Sequence, residues 1–291
     1  MRCRRAGARP VVTDGDRSTP PMRQRSDGRV HLRVGRLGSD TRILDIAEAG
    51  PLRVRLPRGP AGPCEAVLLN SAGGIACGDR FAVSVAVGPG AELVLTTTAA
   101  EKIYRSDGPR TIIETRVAVG AGGHLAFLPQ ETILFDGASL ERSLVADLDG
   151  DAGLLAFEAV TFGRVARGER IREGRFHDHW RIRRDGRLVY ADSVRLEGAI
   201  ADALERAAIG DDARAMATLV HVAPGAEGRL DAIRALLDGA GARDGVEAAA
   251  SAWNGNLVVR FLGSDPAALR ALAQHILVGY RGGPLPRVWQ A

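Results

Sequence analysis

Five carboxylates and one pair of histidines are the residues of this 291-residue chain whose setting could carry chemistry. Asp79 closes "LLNSAGGIACGDRF", where Gly73, Gly74 and Gly78 permit backbone angles that a Cβ disfavours and leave the turn open to close approach. A plain β-turn ending in a solvated aspartate is the competing reading. Glu131, in "LPQETILFDG", lies between a proline and an apolar run and reads equally well as a hydrogen-bonded structural carboxylate. Glu158, in "LLAFEAVTFG", shares by alternation the face of Ala156 and Val160. A charge there is costly unless it is paired, hydrogen-bonded or wetted, and an arginine such as Arg164 would satisfy it. His177 and His179 in "FHDHW" point to one face with Asp178 on the other. Two imidazoles need a further ligand to hold a metal, none is visible nearby, and a surface pair fits better.

Several chemistries are excluded by what surrounds these residues. Gly73 and Gly78 are not followed by Lys-Ser or Lys-Thr, and a strand pattern follows them instead of a helix, so the turn is no phosphate loop. No GxSxG segment offers a strained nucleophile, and the three cysteines, Cys3, Cys64 and Cys77, form no CxxC pair. A glycoside hydrolase on a β-solenoid could use two of Glu131, Asp136, Glu158 and Glu169, since such enzymes set two carboxyls about 5 to 9.5 Å apart. Aromatic residues make up only 4% of the chain, too few for the stacking platforms of a sugar groove. A metal-independent binding module whose Gly-rich turns recognise one partner is the remaining alternative.

The elements that must position these groups read as mainly β. From about residue 29, alternating or short apolar runs cut by glycine turns follow one another as ten strand units, with a hairpin at Asp185-Gly186. "VAVGPGAELVLTT" and "VAVGAGGHLAFLP" recur 32 residues apart, from Val85 to Val117, which suggests stacked sheet layers. The last third changes character. It reads as a strand in "MATLVHVAP", a helix through Leu230, Ile233 and Leu237, a hairpin at Asn254-Gly255, and a helix begun by Asp265 and Pro266. The expectation is a stacked-sheet, β-helix-like body over about 28–210 and a small α+β end with about two helices over about 211–291, together one domain.

Charge is unevenly placed. Residues 1–36 hold ten Arg and three Asp, a local +7 against +4 for the whole chain, which leaves the remainder at −3. With 38 Arg and one Lys, arginine usage reads as a coding bias, and no nucleic-acid motif with interleaved aromatics appears. Residues 1–27 lack apolar periodicity and are expected to be disordered, or to lie partly before a true start at Met22. No apolar run approaches a membrane span and the odd cysteine count argues against a secreted disulfide framework, so a cytoplasmic protein with reduced thiols is expected.

Five phrases, "LLNSAGGIACGDRF", "LTTTAAEKIYRS", "LPQETILFDGA", "GRVARGE" and "PLPRVW", together resemble the urease accessory protein UreD (UreH) family, over about residues 40–291. Gly73, Gly74, Gly78, Asp79, Thr96, Thr97, Lys102, Tyr104 and Arg105 match the family pattern, whereas Ser71, Ala72, Ala76, Cys77, Thr98 and Glu101 depart from it. The resemblance implies a non-enzymatic scaffold that binds apo-urease and the accessory proteins F and G, handles nickel transiently, and holds no tight cofactor. It implies no nucleic-acid or membrane partner. Asp79, Glu158 and Glu169 are then the candidates for a wet interior nickel passage. Lys102, Tyr104, Arg105 and Trp289 are the candidates for partner binding, Trp289 because a tryptophan so near the terminus would fray unless docked.

Overall fold

The computed structural model describes residues 25–57, 64–241 and 245–290, so most of the expected disordered extension lies outside the described residues. The described residues open with β1 (Asp27–Leu37), β2 (Asp40–Ala49), β3 (Leu52–Arg55) and β4 (Cys64–Asn70). The body continues through β5 (Arg80–Val87), β6 (Glu92–Thr97), β7 (Glu101–Ile103), β8 (Thr111–Val119), β9 (His124–Leu128), β10 (Thr132–Leu134), β11 (Ser139–Leu148), β12 (Gly153–Phe162), β13 (Gly174–Arg184) and β14 (Arg187–Gly198). Helix α1 (Ile200–Glu205), β15 (Ala215–Val222), α2 (Leu230–Gly239), β16 (Val246–Trp253), β17 (Asn256–Gly263) and α3 (Pro266–Arg281) complete it.

Two sheets result. The first runs β14-β13-β11-β8-β5-β1-β2 and the second β16-β17-β15-β12-β9-β6-β4-β3, with β7 and β10 pairing beside β12. From β4 to β13 the long strands alternate between the sheets, and each lies parallel to its counterpart one coil earlier. This is a solenoid. The sequence repeat is one coil of it: Val85 pairs with Val117 in the first sheet and Leu93 with Leu125 in the second. Each copy changes sheet at a glycine of positive φ, 62° at Gly90 and 66° at Gly122, a conformation in which a Cβ is disfavoured.

Alternation within each strand sends one apolar row inward, and the inward rows of the two sheets form the main core, including Val85, Leu93, Leu125, Leu144, Leu154 and Phe176. A second core forms on the opposite face of the second sheet, where Phe157, Leu219, Val259 and Phe261 meet Ile233, Leu269, Ala273 and Ile276 of α2 and α3. Helix α3 starts where Asp265 accepts backbone N–H groups from Ala267 and Ala268, and ends at Gly282 in the left-handed region. The short helix α1, which buries Ile200, Ala201 and Leu204, is the one helix that periodicity did not foretell. Six residues are too few to display a helical stripe. No helix of the described residues is long and apolar enough to cross a membrane.

Candidate functional site

Among the described residues, three inward charged side chains break the apolar rows of the main core. Arg142 stands between Leu140 and Leu144 on β11, Asp178 between Phe176 and Trp180 on β13, and Glu158 between Ala156 and Val160 on β12. Arg142 and Asp178 are direct neighbours in the parallel β11–β13 pair, whereas Glu158 reaches them from the opposing sheet. The guanidinium donates Nε to Asp178 Oδ1 at 3.1 Å and Nη2 to Oδ2 at 2.5 Å, a bidentate pair. Its remaining Nη1 is shared between Thr132 Oγ1 at 3.2 Å and Glu158 Oε1 at 3.3 Å. Glu158 Oε2 is buried without a hydrogen-bond partner among the described residues.

One guanidinium thus serves two carboxylates, and the second is left with less than it needs. Burial pushes the Glu158 carboxyl up to about 7; Arg142 opposes that shift, the charge of Asp178 adds to it, and the Trp180 side chain, placed near the carboxylate without the geometry of a full hydrogen bond, opposes it weakly. Glu158, Asp178, Trp180, Asp192, Met216 and Thr218 surround a small cavity of about 10 Å³, room for about one water molecule. At its outer side Arg260 donates to Asp192 at 2.8 Å and to Thr218 Oγ1 at 3.4 Å. With Glu158 ionised, three carboxylates face two guanidinium groups, and that excess of one negative charge develops only as the pH rises through about 7.

Polar groups continue along the second sheet. Glu101 and Thr132 are register partners across β7 and β10, and Thr132 is the residue that Arg142 also holds. Burial raises Glu101 to about 7, partly offset by the hydrogen bond that its Oε1 accepts from Asn70 at 3.0 Å.

The other sequence candidates lie elsewhere, each with its own partners. Asp79 is 4% exposed and clamps its turn: Oδ1 accepts the Ser26 N–H at 2.7 Å and Oδ2 the Ala76 N–H at 2.8 Å. Glu169 is forked onto Arg164, Oε1 accepting Nη2 at 2.6 Å and Oε2 accepting Nε at 3.0 Å and the backbone N–H at 2.9 Å. That hydrogen-bonded pairing holds the Glu169 carboxyl below its ordinary range. Arg164, one of the arginines that could have satisfied Glu158, is taken by Glu169; alternation cannot say which arginine faces a strand from the opposite sheet, and Arg142 fills that place. Glu131 accepts Thr161 Oγ1 at 2.8 Å, and Asp136 is held by Arg172. Glu131 and Glu158 line different cavities, so these two share no cleft, whereas Glu169 lies beside the Asp136 backbone with each carboxylate taken up by its own arginine.

His177 sits beside Glu197 at 2.8 Å on the outer face of the first sheet, and Asp178 points inward as alternation requires. Among the described residues no group of three or more His, Cys, Asp or Glu is gathered so that it could hold a metal ion.

Lys102, Tyr104 and Arg105 are exposed together on and just after β7. Tyr104 packs edge-on against Phe135 with centroids 5.1 Å apart, and the Arg164 guanidinium lies 4.4 Å from the centre of the Phe135 ring, so an aromatic and cationic column follows the coils. Trp289, the fourth candidate for partner binding, packs inward. It is 3% exposed, its indole N–H lies 3.1 Å from Thr96 Oγ1 and 3.2 Å from Leu128 O, and Phe157 packs against it at 5.8 Å. Its docking partner is the chain's own second sheet.

The family model for the UreD urease accessory protein matches residues 26–290. The chain belongs to the UreD family. Curated relatives agree across their length: the urease accessory protein UreD of Methylobacterium sp. (strain 4-46) is 61% identical over 272 residues, covering 93% of this chain and 96% of the relative. UreD 3 of Methylorubrum extorquens (strain PA1) is 56% identical over 292 residues, covering 99% and 97%. UreD of Xanthobacter autotrophicus (strain ATCC BAA-1158 / Py2) is 52% identical over 268 residues, covering 92% and 91%. UreD membership places the chain among proteins named for an accessory role to urease, a name that describes no catalysis.

Arg142 and Asp178 were not singled out from the sequence, although a signal existed. "SLERSLVADL" puts Arg142 on the row of Leu140 and Leu144, and "RFHDHWRI" puts Asp178 on the row of Phe176 and Trp180. The two histidines drew attention to the wrong face of β13.

Proposed function

We propose that the chain is a non-catalytic scaffold of urease maturation, which binds apo-urease together with accessory proteins F and G and lets nickel pass transiently through its interior in the cytoplasm. The observation that carries the passage is Glu158 Oε2, a buried carboxylate oxygen that, among the described residues, finds no well-formed hydrogen bond and lies beside a cavity of water size. Nickel stands high in the affinity order of divalent ions, so an open route would lose it to competing ligands. Oxygen ligands and water exchange such an ion, whereas a thiolate or multi-histidine cage would retain it. Asp79 and Glu169 would have to release two backbone N–H groups and Arg164, respectively, to take a cation, so the transit role is assigned to Glu158 first and to them second.

Lys102, Tyr104 and Arg105 are the proposed partner contacts, with Trp289 fixing the carboxyl-terminal segment from beneath. Co-expression tests the reading. Tagged chain should co-purify with urease and with accessory proteins F and G, and urease made without it should be inactive and nickel-poor. Fully loaded urease in its absence would refute the proposal.

A further inference from the structure

An open cleft of about 700 Å³ lies at the end of the first sheet where its parallel strands begin, away from the Glu158 cavity. Arg80, Arg105, Arg110 and Arg175 line it against Glu173 and Glu197, an excess of positive charge. Two of these arginines are already committed: Arg110 pairs with Glu141 at 2.5 Å and Arg175 with Glu197 at 3.2 Å. Among the described residues, Arg80 and Arg105 make no ion pair within 4.0 Å, although Arg80 stands beside Asp27 across the β1–β5 pair and helps to lower that carboxyl. Arg105 is nonetheless held in place. Its stem crosses Gly137, where a Cβ would stand 2.7 Å from Arg105 Cγ, and its backbone bridges to Ala138.

We propose that this cleft receives an acidic, extended segment of a protein partner, which rests on the reading of the chain as a binding scaffold. Span supports a peptide over a single phosphate. Arg80 opens β5 and Arg175 lies near the start of β13, three strand steps apart in the sheet. At about 4.8 Å per step this is roughly 14 Å, which an extended chain covers in about four to five residues. Guanidinium groups that hold no close ion pair suit carboxylates because their planar fork donates to both oxygens. Among the described residues no aromatic side chain lines the cleft to stack a nucleobase.

Fluorescence anisotropy with the full chain tests this, using a short labelled peptide of alternating Glu and Ala and its Gln–Ala counterpart. The Glu peptide should bind, more weakly as salt is raised, and the Gln peptide should not. Arg80→Ala with Arg105→Ala should weaken binding by roughly tenfold or more, as expected for losing charge-assisted hydrogen bonds, with little change in the melting midpoint. Should the double variant melt early, Arg105→Gln alone gives the same comparison at a side chain that holds no ion pair. Unchanged affinity in these variants would overturn the proposal. ATP binding the cleft more tightly than the peptide would replace it with a nucleotide site. Peptide binding is measured without urease, so failure of the scaffold reading leaves this result standing, and the converse.

Discussion

Arg142 joins the two sheets through one cation and two acids, its Nη2 2.5 Å from Asp178 on its own sheet and its Nη1 3.3 Å from Glu158 on the other. All three groups are nearly inaccessible to water, so the pairing is strong only while complete. Arg142→Ala leaves two buried carboxylates uncompensated and should cost about 3 to 5 kcal/mol in urea unfolding. A cost below about 1 kcal/mol, the range of exposed pairs, would mean that the cluster is solvated in solution.

Glu158 gives this core a pH dependence of unusual sign. Its carboxyl titrates near 7 when folded, against an ordinary value of 4.5, because burial disfavours the charge. Below the ordinary value both states hold the proton and the contribution is full; as pH rises from 4.5 to 7 only the folded state keeps it, and stability is lost. Glu158→Gln removes the titration. Relative to the parent, the variant should be more stable at pH 8 than at pH 5 by about 2 to 3 kcal/mol, and a difference that does not change with pH would contradict the assignment.

His221 should show the opposite slope. Its Nδ1 lies 2.7 Å from the Tyr280 hydroxyl, and burial, with the charge of Arg229, lowers it from 6.5 to about 4. The folded state therefore keeps the ring neutral, a contribution present above 6.5 and lost as pH falls toward 4. His221→Gln should lose about 3 kcal/mol less than the parent between pH 7 and pH 4. Equal losses in both proteins would show that the ring is free to take its proton.

The solenoid was legible because its signal is local and repeated. Alternation marked the strands, and the recurrence of Val85 at Val117 measured one coil before any pairing was known. The carboxyl-terminal helices were legible from Asp265, Pro266 and the Leu230 stripe. What stayed hidden was which faces meet. Glu158 could be placed inward by period two, but its partner Arg142 comes from a different sheet, a relationship that no spacing along the chain encodes. Asp79 is buried where a turn ending in a solvated aspartate was the competing reading, and the groups that hold it are backbone N–H groups, which the sequence does not single out.

That observation sets the expected behaviour of Asp79. Substitution by Asn would satisfy one backbone donor and face the other with an amide N–H, so Asp79→Asn and Asp79→Ala should each lower stability by about 1 to 3 kcal/mol. A melting midpoint unchanged by both would free Asp79 for the nickel passage.

Trp289 should behave as a core residue. Trp289→Ala removes a buried ring and two hydrogen-bonding contacts to the second sheet, and should cost about 3 to 5 kcal/mol by calorimetry. Loss of partner binding without loss of stability would instead return it to the interface.

The passage through Glu158 is tested most directly by the nickel content of urease matured with the Glu158→Ala chain, measured by elemental analysis on urease from complexes that still contain the variant and its partners. The account predicts intact complexes and urease markedly depleted in nickel; fully loaded urease from those complexes would contradict it.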